Sequence, residues 1–227
     1  MITEEKKLDN PVWYSLSESH SNFAILFDQV KFYNPKYCPF GGYNDLSETL
    51  VANEKYSKMI SNFYVVGNKP NFNKSLKINK ELICNQMVLT DFINIEITET
   101  IIELQAKHKK DLFDLVNLVQ PGYFKEETPE LGSYYGIYKN EKLIAVTGER
   151  MKMILYTEIS AIVTHPSYIG KGYAKQLIAY TTNKIFRENK IPYLHVAENN
   201  SGAINLYEKL GFTMRRKISF WNLVKIT

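Results

Sequence analysis

The chain has 227 residues, enough to bury a sizeable core as one large or two small domains. Its 44% hydrophobic and 23% charged residues describe an ordinary globular protein, and no apolar run reaches the eighteen or so residues of a membrane span. A net charge of +4, with basic runs as short as Lys107-His108-Lys109-Lys110 and Arg215-Arg216-Lys217, gives no reason to expect a nucleic-acid partner.

The N-terminal stretch MITEEKKLDNPVWYS is charged and lacks an apolar signal core, so a cytoplasmic location is expected. Strands are predicted at 22–27, 61–66 and 82–89, separated by turn-rich segments such as Asn34-Pro35 and Pro39-Phe-Gly-Gly-Tyr43. Cys38 and Cys84 stand far apart with no metal-ligand spacing and read as buried free thiols. Residues 1–95 thus form an N-terminal α/β half without a phosphate motif.

A second half, 96–227, opens with a short strand at Ile95 and Ile97, then a helix with Leu104, Leu112, Leu115 and Val119 on one face, stopped by Pro121-Gly122. The segment Lys125–Glu130 reads as a surface loop on the side of a substrate. Two antiparallel strands, Glu130–Tyr138 and Leu143–Met151, turn at Asn140-Glu141.

The stretch Glu158–Ala174, EISAIVTHPSYIGKGYA, alternates as a strand to Thr164 and is ended by Pro166. Tyr173, Ala174, Leu177, Ile178, Thr181 and Ile185 then form the core-facing stripe of a helix. Gly170-Lys171-Gly172 therefore sits at a helix N-terminus, where unpaired N–H groups and the macrodipole can hold an anion. The spacing fits neither a Walker loop nor a dinucleotide fingerprint, and alone it leaves open whether the glycines do more than bend the chain.

Downstream, Tyr193–Ala197 reads as a strand and Asn200–Leu210 as a helix capped by Gly211. Asn200, Ala203 and Tyr207 fall at i, i+3 and i+7, on one helix face. His195 lies within the strand and reads as a packed or hydrogen-bonded residue. His165 reads as a loop residue beside Pro166. Neither has a nucleophile arranged beside it.

Together, Ile169-Gly170-Lys171-Gly172-Tyr173-Ala174 and His195–Phe212 resemble the GNAT acyltransferase superfamily, in particular the branch with glycine N-acyltransferase-like C-terminal domains. Glu130–Tyr138 and Leu143–Met151 resemble it as well, so the likeness covers most of 96–227. Leu82–Leu89 faintly resembles the N-terminal region of the same branch, which makes 1–95 a candidate degenerate GNAT-like half. The family's phosphate loop reads Arg/Gln-x-x-Gly-x-Gly/Ala, and Ile169 departs from its first position.

The resemblance implies a mixed α/β fold, a central mixed sheet flanked by helices, and acetyl-CoA as the acyl donor. It implies pyrophosphate contacts from Gly170, Lys171, Gly172, Tyr173 and Ala174, and strand-like pairing of the pantetheine arm with Ile162, Val163 and Thr164. Asn200 would bind the pantetheine amide on the face that also carries Ala203. Tyr207 would protonate the departing thiolate and Glu158 would act as general base. Glu149 is a competing carboxylate; if both faced one cleft, repulsion would raise one pKa.

The activity implied is direct acetyl transfer to the amine of a small molecule or amino acid, with the N-terminal half shaping the acceptor pocket. A peptide N-terminus as acceptor and a non-catalytic acyl-CoA sensor are the alternatives. Monomer and homodimer are both compatible, the latter through Thr213–Lys225.

Overall fold

The computed structural model describes residues 3–226. In chain order the first part contains α1 (Pro11–Ser15), β1 (Ala24–Phe27), β2 (Val30–Tyr33), β3 (Phe40–Tyr43), α2 (Thr49–Ser57), β4 (Asn62–Val66) and β5 (Leu76–Val88). Then follow β6 (Ile102–Glu103), α3 (Lys109–Val119), β7 (Tyr134–Lys139), β8 (Lys142–Lys152), β9 (Tyr156–Thr164), α4 (Tyr173–Arg187), β10 (Ile191–Ala197), α5 (Ser201–Lys209) and β11 (Thr213–Lys225).

The described residues form one eleven-stranded mixed sheet in the order β1-β2-β3-β4-β11-β5-β10-β9-β8-β7-β6. It is continuous across residue 95. β5 lies between β10 and β11, with Gln86 opposite both His195 and Arg216. Helices cover both faces: α4 and α5 pack on one through Ile178, Ile185 and Tyr207, and α3 packs on the other through Leu112, Leu115 and Val116. No helix among the described residues is long and apolar enough to cross a membrane.

The Asn140-Glu141 turn has both residues at positive φ, 49° and 62°, the conformation whose twist suits a two-residue hairpin. In α4, Tyr173, Leu177, Ile178, Thr181 and Ile185 are buried as their spacing requires. β5 begins earlier than the predicted 82–89, because Leu76–Glu81 pair with the far end of β11.

The strand expected at Ile95 and Ile97 is absent. The segment runs irregularly along α4, whose side-chain amides take over its backbone bonds: Asn183 pairs with Ile93, and Gln176 accepts from Thr98 and Glu99. Leu104 precedes α3 rather than lying on it. β11 pairs with β5 along its length and with β4 at Phe220–Val224.

Candidate active site

β9 and β10 pair in parallel at Tyr156–Ile191, Thr157–Pro192 and Glu158–Tyr193, and then part. Beyond Glu158 no register pair joins them among the described residues, so the edge of β9 that faces β10 carries free backbone groups. β9 also bulges: Ala161 has φ +50° and the register with β8 slips between Val146 and Gly148. An extra residue at a bulge bends its strand, and this one turns β9 away from its neighbour.

A cavity of about 310 Å³ opens in the gap. Ser160, Ala161 and Ile162 line it from β9, Leu194, His195 and Ala197 from β10, and Tyr207 from α5. Its far wall is aromatic, with Phe40, Tyr123, Phe124, Tyr134 and Phe220. Val163 and Thr164 lie beyond this cavity; Val163 is buried against α3.

The glycine turn follows β9. Gly170 and Gly172 hold left-handed φ of +79° and +77°, and a side chain at either would meet only open space. Among the described residues, the N–H groups of Gly170, Lys171, Gly172, Tyr173 and Ala174 have no acceptor. Five free donors at the positive end of a fifteen-residue helix make an anion cradle. Ile169 is 67% exposed and braces nothing. The approach to the loop is instead fixed by His165, whose Nδ1 accepts from the Ser167 N–H at 3.2 Å. Lys171 is exposed, with its ammonium 5.3 Å above the Tyr168 ring.

On α5, Asn200 is the N-cap residue and its Oδ1 accepts from the Ala203 N–H at 3.2 Å. Its amide NH2 is left free to donate. Ala203 packs against the core beneath α5 rather than lining the cavity. Tyr207 is 7% exposed, and burial pushes its phenol pKa up to about 12, so it holds its proton at neutral pH.

Glu158 is fully buried and gripped from three directions. Arg150 donates from Nε to Oε2 at 2.7 Å and from Nη2 to Oε1 at 2.8 Å, and His195 Nδ1 lies 2.7 Å from Oε1. Burial alone would raise the carboxyl pKa, but the charge and hydrogen bonds of Arg150, with help from His195, bring it down to about 2. The raised pKa expected of a base shared with Glu149 is therefore corrected. Glu149 stands opposite Ile159, so strand alternation sends it to the other face from Glu158, where Lys152 pairs with it at 2.7 Å.

The tautomer of His195 follows from its neighbours. Gln86 must present its oxygen to Arg215 Nη1, at 3.0 Å, and its nitrogen to the Leu8 carbonyl, at 2.8 Å. The remaining Gln86 N–H then faces His195 Nε2 at 3.1 Å. Nε2 accepts, and Nδ1 carries the hydrogen donated to Glu158. His195 is thus a hydrogen-bonded residue with both nitrogens engaged.

Sequence reasoning missed Arg150, Gln86 and the aromatic wall. Arg150 reads in sequence as one more charge in a polar strand end, and Gln86 and Phe40 lie in the half that has no motif. Only the sheet order brings them to the site.

Residues 134–221 match the family described as FR47-like protein. No curated protein matches the chain. Among solved structures, a GNAT-family protein from Novosphingobium aromaticivorans is 26% identical with a TM-score of 0.87, over 97% of this chain and 99% of its own. A GCN5-related N-acetyltransferase from Kribbella flavida is 13% identical with a TM-score of 0.61, over 95% and 96% of the two chains. A GCN5-related N-acetyltransferase-like protein from Streptococcus suis is likewise 13% identical with a TM-score of 0.61, over 92% of each. The parted strands and the glycine turn thus lie in a GNAT fold, and residues 134–221 are similar to the FR47-like family.

Proposed function

We propose that the chain is an acetyl-CoA-dependent N-acetyltransferase that passes the acetyl group directly to the amine of a small molecule or amino acid. The observation that carries this reading is the parting of β9 from β10 directly before five unpartnered N–H groups at the start of α4. The residues present fit coenzyme A: the free edge at Ile162–Thr164 suits an extended amide-bearing arm, and the open space around Gly170 and Gly172 suits a pyrophosphate. When bound, acetyl-CoA supplies an activated thioester carbonyl.

The chain's own residues then have three tasks. Ser160–Ile162 and Leu194–Ala197 hold the donor between the strands, and Asn200 contributes its free amide NH2. Tyr207, protonated at neutral pH and lining the cavity, gives a proton to the thiolate as it leaves. The acceptor nitrogen needs to be neutral, and the aromatic wall favours that form because it solvates an ammonium poorly. Glu158 serves as the buried charge that fixes Arg150 and His195 rather than as a free base.

A small acceptor is favoured over a peptide end because the N-terminal part closes the far side of the cavity with Phe40, Leu82 and Cys84. The test is incubation with acetyl-CoA and a panel of amines while free thiol is followed. Amine-dependent thiol release is expected; tight acetyl-CoA binding without release would instead favour a sensor.

A further inference from the structure

Arg150 carries the one fixed charge among the residues that line the cavity, and Glu158, its counter-ion, lies behind it and does not line the wall. The guanidinium has five N–H donors in a planar fork. Glu158 takes one from Nε and one from Nη2. Both hydrogens on Nη1 and the second on Nη2 have no acceptor among the described residues. Yet the side chain is only 15% exposed, and the group is clamped 4.8 Å above the Phe40 ring. Cationic donors that face a mostly apolar cavity with no protein acceptor are positioned to meet an anionic ligand there.

The neighbouring groups do not supply that acceptor. His195 is committed to Glu158 and Gln86, and the wall beyond Arg150 is built from Phe40, Phe124, Tyr134 and Phe220. The free edge of a guanidinium is matched in shape by a carboxylate, which can take two parallel N–H bonds. The aromatic wall at the same time suits an apolar body.

We infer that Arg150 is the specificity-determining residue for the acceptor, binding a carboxylate on a substrate that also carries the reacting amine and an apolar group, as an amino acid with an apolar side chain does. This deepens the proposed acetyltransferase reading and rests on it for the amine. The carboxylate site itself does not depend on turnover.

The test is calorimetric titration of the coenzyme A-loaded protein with 3-phenylpropionate and with its uncharged amide. The carboxylate is expected to bind at least about ten-fold more tightly than the amide, as a charge-assisted pair in a partly dry site should. In Arg150→Lys, which keeps the charge but not the fork, the preference is expected to fall several-fold with the melting transition still cooperative. Equal binding of acid and amide by the parent, or binding of neither, overturns the inference, whether or not the variant folds. Selective carboxylate binding without acetyl transfer to phenylalanine or any other amine would overturn the transferase reading and leave the carboxylate site standing.

Discussion

Tyr207 and Glu158 are both polar groups lodged in the core, and their surroundings give them opposite characters. Tyr207 has no charged partner, so burial alone raises its pKa and keeps it a proton donor. The expected outcome for Tyr207→Phe is a fall in turnover of about a hundred-fold or more, the lower range for loss of a general acid, with coenzyme A affinity within about two-fold of the parent. Stopped-time thiol release and calorimetry check the two halves. Glu158 has charged partners, and they dominate. Its position at the head of the strand was readable in sequence; its service as an anchor was not, because Arg150 and His195 reach it only through the sheet.

Burial holds the pKa of His20 down at about 4, against an ordinary value of 6.5. The unfolded chain therefore binds a proton between pH 6.5 and 4 that the folded one refuses, so stability present above 6.5 is lost as pH falls toward 4. Glu158, lowered from 4.5 to about 2, adds stability above 4.5 that is lost as pH falls through 2. Urea unfolding should lose about 3 kcal/mol between pH 7 and pH 4 from His20 alone. A constant unfolding free energy over that interval would contradict this assignment.

Among the elements, those with strong local signals were legible. The alternation of β9, the stripe of α4 and the Asn140-Glu141 hairpin each follow from spacing and turn chemistry within a few residues. The segment around Ile95 and Ile97 was not, since its backbone partners are the side chains of Asn183 and Gln176, about eighty to ninety residues away. The bulge at Ala161 was hidden for a similar reason: nothing in Ser-Ala-Ile announces a left-handed alanine. The turn into α4 makes its own prediction. Gly172→Ala places a Cβ at φ +77°, a strain of about 1–2 kcal/mol with nothing to clash against. Coenzyme A affinity should fall about ten-fold as the loop relaxes from its cradle shape, while unchanged affinity in a titration would argue that the glycines only bend the chain.

For the whole molecule, the position of β5 matters most. A strand from the first 95 residues fills the place between β10 and β11, contributing Met87 and Gln86 to fully buried positions. Removing residues 1–95 would leave two long unpaired edges and strip Phe40, Leu82 and Cys84 from the cavity. The fragment 96–227 is therefore expected to lack a cooperative thermal transition by circular dichroism, although it holds the glycine turn and Tyr207. A cooperative melt like that of the full chain would show that the second half stands alone.

On the proposed reading, coenzyme A lies between the parted strands with its pyrophosphate on the glycine turn. Amide hydrogen exchange with and without coenzyme A addresses it residue by residue. New protection is expected at Ile162–Thr164 and at Gly170–Ala174, where backbone groups lack partners. Protection confined to other segments, or none on addition of saturating coenzyme A, would contradict it.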